Sequence, residues 1–517
     1  MATALLPAPP APVAAGRRSR MPSPVVLLTS VGVINAVLFL VINPSVGDLW
    51  AARARQSAAR HGVGLGYWFS WFAGSTPGNY SVLSPFLSGL LGAGILGALG
   101  TVAITPLAAL LVRGSAHPVA ATATAAFVAG LSLWSGRVPF AVGTAVSIVA
   151  FIAVRAERRT LACALAVLTA LVSPVSAFFF AMGVAALFIT NPRFRVISAM
   201  AASATVVSLA GIALIFGTPG TEPFSLLKAG TVAAALALML VARPAPYVRV
   251  VIFIAIAACP MLVLVPNGMG SNFQRLVWIC LPIAVVATAT ARLRVAIAAC
   301  ALPIVLSAQA TVSDLWVSAQ PMSSEHYYDN LAAELDRTPG LANYRVEVVP
   351  DGTHTSAYAL LNHAMLARGY ETQEDSVQNA VVMSSHLNAI SYKLWLDNNA
   401  VGYVAIGGTT IATNPEDTLI RQHLPKYLTK VWSDQHWLLY RVQYPSPVIS
   451  SPATVIAADQ ASMELNVPRA GSYTIRVHWS RFLKISPTVP KTTTMSDDGF
   501  GFTKLTVTAP GRYTLHG

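Results

Sequence analysis

The sequence predicts an α-helical, multi-pass membrane protein with about eleven transmembrane helices, followed by an extracytoplasmic α/β domain and a C-terminal β-sandwich. Hydrophobic residues make up 54% of the 517 residues and charged residues only 11%, against about 25% charged in an ordinary soluble domain. The basic residues also alternate, because most of those between residues 24 and 310 lie on every second connection between apolar segments. The positive-inside rule produces this distribution.

The arginine-rich connections are expected to face the cytoplasm, because short cytoplasmic loops retain Lys and Arg. They carry Arg113, Arg155, Arg158, Arg159, Arg193, Arg195, Arg243, Arg249, Arg292 and Arg294. The intervening connections, which are expected to face outward, are 44–80, 135–138, 173–176, 217–228 and 266–275. With the N-terminus inside, eleven crossings of the plasma membrane place everything after residue 310 outside.

Residues 1–23 are rich in Ala and Pro and are predicted to be a disordered cytoplasmic tail. Residues 24–310 form the transmembrane domain, and an additional apolar helix, 81–91, is expected at the outer leaflet. The segments expected to cross are 24–43, 94–112, 118–134, 139–154, 160–172, 174–191, 196–216, 225–241, 249–265, 276–291 and 295–310. Several are shorter than the roughly 20 residues needed to cross alone, and those broken by proline are expected to line a cavity or to be shielded by neighbouring helices.

The large first exterior loop, 44–80, carries most of the candidate chemistry. Its first half alternates alanine with arginine at helical spacing, which predicts an amphipathic helix lying in the membrane interface. Its second half contains the aromatic residues Tyr67, Trp68, Phe69, Trp71, Phe72 and Tyr80. These residues are either an aromatic belt at headgroup level or, for Tyr67, Trp68, Trp71 and Tyr80, the wall of a substrate cavity on which a sugar or a lipid headgroup stacks.

Asp48 is the one acidic residue of this loop. An acid where the first span leaves the membrane is costly near lipid and is a functional suspect. It is either a general base that takes the proton of an acceptor hydroxyl or the N-cap of the helix that follows. The other acids between residues 24 and 310 are Glu157, expected to pair with Arg158 or Arg159, and Glu222.

The order of these features resembles the GT-C glycosyltransferases. A first span is followed by Asp48, by the helix DLWAARARQSAARHG, by a Gly-rich stretch and by TPGNYSVLSPFLSGLLG. The resemblance implies an enzyme that uses a polyprenyl-phosphate-linked sugar at the outer membrane face, with acids in this loop that activate the acceptor or hold a metal. Only Asp48 fills that role, since Gly47 and Leu49 flank it. The resemblance therefore implies no definite cofactor. A divalent metal would fit the family, but this loop lacks the pair of acidic residues that would hold it.

A second resemblance covers nearly the whole chain downstream of the first span. It is carried by SGRVPFAVG at 135–143, NGMGSNFQRL at 267–276, ARGYETQEDSVQN at 367–379, SYKLWLDNNAVGYVAIG at 391–407 and WSDQHWLLYRV ending at Val442. These segments are similar to a family of actinobacterial integral membrane proteins, whose members are described as glycosyltransferases or simply as conserved membrane proteins. This resemblance implies an architecture rather than a reaction.

The exterior part is predicted to contain two domains. Residues 311–445 alternate helical and strand patterns, which is typical of an α/β domain. Residues 446–517 contain short strands broken by Gly and Pro, which indicates a β-sandwich that resembles carbohydrate-binding modules.

Two features of the α/β domain are candidates for binding the acceptor. His354 follows a strand at a strand-to-helix turn, where α/β domains tend to place ligands. The polar run that follows contains Arg368, Glu371, Gln373 and Asp375. This run is either a solvated loop with internal salt bridges or a segment that closes over the membrane cavity and holds the acceptor sugar.

Arginines at the outward ends of the spans are candidates for binding the donor phosphate. Arg137 and Arg275 lie in outward connections, the latter close to Asn272. A guanidinium offers a fork of donors matched to phosphate oxygens, although a basic residue at this level can also contact lipid headgroups. We expect phosphate contact for Arg137, Arg275 and Asn272, and only the lipid interface for Lys228.

The sequence therefore predicts an inverting transferase that moves a sugar from a polyprenyl-phosphate donor to a cell-envelope glycan or lipid. The alternative is a non-catalytic membrane protein or transporter that binds an envelope intermediate. Nucleic acid is not an expected partner, because the net charge of +13 is mostly loop arginine. The four cysteines all lie in predicted spans, and no HExxH, GxSxG, P-loop or GxGxxG pattern has the right flanks, so protease, hydrolase and nucleotide-binding functions lack support.

Overall fold

The computed structural model describes residues 23–411, 414–486 and 493–517. The predicted N-terminal tail lies outside them except for Ser23, whose side chain caps the first helix. The helices of the N-terminal part are α1 Pro24–Ile42, α2 Gly47–Arg60, α3 Ser84–Leu91, α4 Ala93–Leu111, α5 Pro118–Trp134, α6 Val138–Arg155, α7 Arg159–Val172, α8 Pro174–Thr190, α9 Arg195–Phe216, α10 Leu226–Leu240, α11 Pro246–Leu264, α12 Leu281–Thr288, α13 Leu293–Ala299 and α14 Ala301–Ser318.

These helices make the chain a multi-pass membrane protein. Within the described ranges, 6 helical segments are long and apolar enough to cross a membrane, and α13 with α14, bent by 48°, gives a seventh if the pair is one span. The shorter apolar helices α5, α7, α8 and α10 lie where the sequence predicts crossings. The helix positions agree with the prediction, whereas the count of eleven crossings stays a prediction.

The last helix of this part extends further than expected. The last span is predicted to end at residue 310, but α14 continues to Ser318. The polar residues of its final turns lower the hydropathy without breaking the helix. The part after Ser318, which is called exterior below for its expected side of the membrane, therefore begins later than predicted, and Asp314 belongs to the helical bundle.

The arginine-rich connections meet at one end of the bundle. The Arg155 guanidinium donates to the backbone carbonyls of Leu111 and Arg113, at 2.6 and 2.9 Å. Glu157 pairs with Arg193 at 2.5 Å, from the next arginine-rich connection, rather than with Arg158 or Arg159. The outward connections meet at the other end, where they border a common cavity.

The exterior α/β domain is built on a four-stranded sheet. Its elements are α15 Asp329–Arg337, β1 Arg345–Val348, α16 Ser356–Ala359, α17 Thr372–Gln378, α18 Ala389–Asn398, β2 Val401–Gly407, α19 Pro415–Gln422, β3 Leu428–Ser433 and β4 Trp437–Val442. The strand order is β1-β2-β4-β3, and β1 and β2 are parallel. Every residue of β2 is buried, because α18 and α19 cover one face of the sheet and α15 covers the other.

The C-terminal region forms two β-sheets around a shared core. Its strands are β5 Thr454–Ala458, β6 Ser462–Val467, β7 Gly471–His478, β8 Lys484–Ser486, β9 Thr493–Asp497, β10 Phe502–Val507 and β11 Gly511–His516. One sheet has the order β7-β10-β9 and the other β5-β6-β11-β8. Alternate residues of these strands are buried between the sheets, as expected for a sandwich in which each sheet has one solvent-exposed face.

The first exterior loop is covered by the exterior domains. The helix α2 forms as predicted, but Leu49, Trp50, Ala54 and Arg55 on different sides of it are all buried. It packs against α3, α4 and α16. The helix α2 is therefore covered by protein on several sides, and its expected position in the membrane interface stays a prediction.

Candidate functional site

A cavity of about 640 Å³ lies between the outward ends of the helices and the exterior α/β domain. Residues from the first exterior loop, from four outward connections, from α14 and from the start of α17 line it. The predicted site residues that border it are Asp48, Tyr80, Arg137, Asn272, Arg275, Glu371 and Gln373.

Asp48 lies beside both of the predicted phosphate-binding arginines. Its Oδ2 is 3.4 Å from Nη2 of Arg275 and 3.8 Å from Nε of Arg137. The Asp48 side chain is 36% exposed, so one side of the carboxylate remains open to the cavity. The N-cap position of α2 is Val46, which makes no side-chain capping bond. Asp48 is thus in the first helical turn, and the capping alternative is wrong.

A glycine positions Arg137. Gly136 has a φ of +74°, and a Cβ atom there would lie 2.6 Å from the backbone nitrogen of Leu49. Only glycine lets the α5–α6 turn come this close to α2. The close approach brings Arg137, the next residue, against Asp48.

The guanidinium of Arg137 is buried, and two of its nitrogens make no hydrogen bond to a described residue. Its side chain is 11% exposed, and within the described residues Nε and Nη1 have no hydrogen-bond partner. An unpaired buried donor costs about 1–3 kcal/mol. A bound oxyanion would remove that cost.

Arg275 lies at the junction between two types of helix. It follows a short 3₁₀ turn, Gly270–Phe273, and precedes a π-helical segment, Leu276–Cys280, that leads into α12. Single π turns inside α-helices are frequent at functional sites. The 3₁₀ turn also places Asn272 on the cavity wall.

Two further carboxylates border the cavity. Asp314 of α14 has its Oδ2 4.0 Å from Nη2 of Arg137, so Arg137 lies between Asp314 and Asp48. Asp314 was not predicted as a site residue, because it follows residue 310, where the last span was expected to end. Glu222 accepts a hydrogen bond from the Ser271 hydroxyl, and burial raises the pKa of its carboxyl group.

Lys228 was expected to contact only the lipid interface, but it lines the cavity. It lies in the first turn of α10, and its charge lowers the pKa of Glu222, against the larger effect of burial. Headgroup contact was the simpler expectation, because Lys228 lies at the end of a predicted span. The tertiary fold instead turns this face of α10 toward the cavity.

Glu371 is held by a buried arginine. The Arg55 guanidinium pairs with it, and the two side chains are 7% and 5% exposed. The same guanidinium lies over the ring of Tyr80, with Cζ 3.7 Å from the ring centroid. Burial raises the pKa of Glu371, while burial and the Glu371 charge raise the pKa of Glu374 to about 8.

Gln373 joins the exterior domain to the helical bundle. Its backbone carbonyl accepts a hydrogen bond from the backbone nitrogen of Thr221, at 3.1 Å. Its side chain donates to the carbonyl of Gly268, at 3.4 Å. The start of α17 therefore closes the cavity against two outward connections.

The other half of the polar run is internal to the α/β domain. Arg368 pairs with Glu347 at 2.6 Å and with Glu416 at 2.9 Å, and Asp375 is 3.9 Å away. Glu347 and Glu416 are 1% exposed. Arg368 and Asp375 border a separate cavity of about 40 Å³. Nε and Nη2 of Arg368 donate hydrogen bonds to Glu347 and Glu416, and the contact of Arg368 and Asp375 with an acceptor stays a prediction.

His354 also borders the small cavity rather than the large one. Its backbone is left-handed, with a φ of +63°. Its ring stacks on Tyr370 with 3.8 Å between centroids, and Tyr370 lines the large cavity. Burial lowers the pKa of His354 to about 4, so the ring is neutral near pH 7. His354 supports the cavity wall through Tyr370 rather than touching a ligand there.

The aromatic residues of the first loop also fall into two groups, one at the cavity and one buried between domains. Only Tyr80 borders the cavity. The Tyr67 hydroxyl donates to the carbonyl of His478 at 2.7 Å, and Tyr67 packs in the core of the β-sandwich. Trp68 and Trp71 stack on each other at 4.4 Å and are 1% exposed. These three residues do not line the cavity, because the exterior domains bury this part of the loop.

In the part of the chain that the structure describes, no three His, Cys, Asp or Glu side chains come together in a way that could hold a metal ion.

Comparisons with known proteins give structural neighbours only. No family model and no curated protein matches the sequence. The chain is similar to single-particle cryo-EM structures of the arabinofuranosyltransferase AftD from Mycobacteria, two of them of a mutant, with 15–16% sequence identity and TM-scores of 0.42, 0.43 and 0.44. The matches cover 86% of this chain and 41–43% of the AftD chains. The chain therefore spans less than half the length of the proteins that it matches.

Proposed function

We propose that this protein is a membrane glycosyltransferase that moves a sugar from a polyprenyl-phosphate donor to a hydroxyl group of a cell-envelope glycan or lipid. One observation carries the proposal. A partly open carboxylate, Asp48, lies within 4 Å of two guanidinium groups on the wall of a large cavity. The proposal includes the predicted orientation, with this cavity on the outer side of the membrane.

The arginines suit a phosphate leaving group. As the sugar departs, negative charge develops on the phosphate oxygens, and donors fixed in advance stabilise that charge. The unpaired Nε and Nη1 of Arg137 are such donors, and Arg275 adds a second guanidinium across Asp48. Asn272 supplies a neutral donor on the same wall.

Asp48 suits the role of general base. The acceptor hydroxyl attacks the anomeric carbon and gives its proton to Asp48, while the bond from that carbon to the phosphate oxygen breaks. The electron pair of that bond stays with polyprenyl phosphate. When the donor phosphate binds to Arg137 and Arg275, it competes with Asp48 for their N–H groups and frees the carboxylate to accept the proton.

The rest of the cavity wall suits the two substrates. Phe178, Leu209 and Ile212 from α8 and α9 line its apolar part, where an isoprenoid chain can lie. Glu371, Gln373 and Tyr80 line its exterior side, where they can bond the hydroxyl groups of an acceptor sugar. A sandwich that binds carbohydrate would keep the acceptor glycan close.

Incorporation of radiolabelled sugar from polyprenyl-phosphate donors into envelope acceptors, with and without the protein, tests this function. Asp48→Asn keeps the shape of the side chain and removes the base, so incorporation should fall by about two to four orders of magnitude. Glu157→Gln is the matched control, because Glu157 pairs with Arg193 at the opposite end of the bundle. Full activity of Asp48→Asn would instead favour a non-catalytic protein that binds an envelope intermediate.

A further inference from the structure

We propose that the exterior α/β domain rests on the outer leaflet of the same membrane through an apolar face formed by Val377, Val381, Met383, Ile390 and Leu394. These side chains are 57%, 43%, 48%, 77% and 60% exposed. The partner of this face is the headgroup and upper acyl region of the lipid. The proposal depends on the chain being embedded in a membrane in the predicted orientation, and it does not depend on the transferase reaction.

The composition of this segment differs from that of an ordinary exterior surface. From residue 376 to residue 392 the sequence contains no Asp, Glu, Lys or Arg. Acidic residues precede this stretch at 374 and 375, and Lys393 follows it. Contiguous exposed apolar patches are rare on soluble domains and mark interaction sites.

The exposed residues lie on one packed unit. The opposite side of α18 buries Tyr392, Trp395 and Leu396 in the core of the domain. The indole nitrogen of Trp395 donates to the side-chain oxygen of Asn379, at 3.1 Å, which fixes the end of α17 against α18. The apolar face is therefore held in place by the domain core.

Hydrogen bonds attach this unit directly to the membrane-spanning part. The hydroxyl groups of Ser376 and Thr221 are 2.9 Å apart, and Thr221 lies in the connection between α9 and α10. The lipid-facing surface of these spans reaches the connection, since Leu214 and Leu226 are 80% and 79% exposed. Thr221 is five residues from the end of α9 and five from the start of α10.

These lengths limit how far the face can lie from lipid. Five extended residues reach at most about 18 Å, and a folded connection spans less. Val377 follows Ser376 directly, so the apolar face starts at the attachment point. The polar interface of a bilayer is about 5–7.5 Å thick on each side, and amphipathic elements bury their apolar face about 5–10 Å into the headgroup and acyl boundary. The face therefore starts, at Val377, close to the level where the spans leave the lipid.

The test measures the contact of this face with lipid in the full chain. The protein is reconstituted in lipid nanodiscs that contain a phospholipid with a nitroxide in its upper acyl chain. A fluorophore is attached to a single cysteine at 381 or 394, after replacement of the four native cysteines. Phe500, which is 89% exposed on the C-terminal sandwich, is the matched control position. We expect strong quenching at 381 and 394 and little at 500.

A second measurement does not need the cysteine replacements. A photo-crosslinking phenylalanine derivative at 381 or 394, in the chain with its native cysteines, should yield adducts with phospholipid, whereas the derivative at 500 should not. Quenching and lipid adducts at 381 and 394 equal to those at 500 would overturn the proposal. Crosslinks to a second protein chain at these positions would overturn it as well, since the face would then be a protein interface.

Discussion

The role of Arg137 can be tested by a substitution that keeps its charge. Arg137→Lys retains a cation near Asp48 and Asp314, which lie 3.8 and 4.0 Å from the guanidinium. It removes the planar fork, and with it one of the two donors that have no partner among the described residues. Lysine then offers the phosphate a point charge in place of a bidentate contact.

The magnitude follows from the number of bonds lost. A hydrogen bond to a charged group contributes about 1.5–3 kcal/mol, so the loss of one in the transition state lowers kcat/KM by about 10- to 150-fold. The assay is the rate of sugar transfer at limiting polyprenyl-phosphate donor. Because Nε and Nη1 make no hydrogen bond to a described residue and lysine keeps the charge beside Asp48 and Asp314, the thermal midpoint of unfolding in detergent should change little.

Two comparisons make the result decisive. Arg193→Lys makes the same change in the exposed pair with Glu157 and should leave transfer unaffected. Arg137→Met, which also removes the charge, should be slower than Arg137→Lys. Transfer by Arg137→Lys at the rate of the unmodified protein, with the midpoint unchanged, would refute the assignment of Arg137 to the donor phosphate.

Three further outcomes are expected. A reporter that is active only outside the cytoplasm should be active when fused after Gly517 and silent when inserted within 155–159, and a silent fusion at Gly517 would reverse the orientation. Arg368→Met leaves Glu347 and Glu416 buried without their cation and should destabilise the protein by about 3–5 kcal/mol, measured as denaturant unfolding, whereas Arg193→Met should cost less than about 1 kcal/mol. Burial lowers the pKa of His354 from 6.5 to about 4. As the pH falls between these values, the His354 ring is protonated in the unfolded chain but not in the folded one, so the free energy of unfolding decreases. His354→Phe should reduce the drop in unfolding midpoint between about pH 7 and 4.5, His386→Phe should not, and equal drops would remove His354 as its source.

The helices and the main polar contact could be predicted from the sequence, because both depend on simple composition rules. Uninterrupted apolar segments between arginine-rich connections predict the helices within a few residues. The cost of a charge near lipid identified Asp48, and the same rule combined with loop position identified Arg137 and Arg275. The structure brings these three residues together on one cavity wall.

Other predictions failed because they depended on which surfaces the exterior domains cover. The pattern of Trp68 and Trp71 is the same whether the rings face a ligand or a neighbouring domain, and the structure buries them. The partners of Arg368, Glu347 and Glu416, are far from it in sequence and have no local signal. Asp314 could have been found by asking whether the polar turns after residue 310 still had helical spacing.

The position of Tyr67 and Phe69 in the sandwich core has a consequence for how the chain is made. Synthesis proceeds from the N-terminus, and domains generally fold as they emerge, yet this core needs side chains from near both ends of the sequence. Tyr67 and Phe69 therefore lack their packing partners until β11 has been synthesised. A chain that stops before β5 would therefore leave Tyr67 and Phe69 without the core that covers them, so folding of the first loop depends on the sandwich.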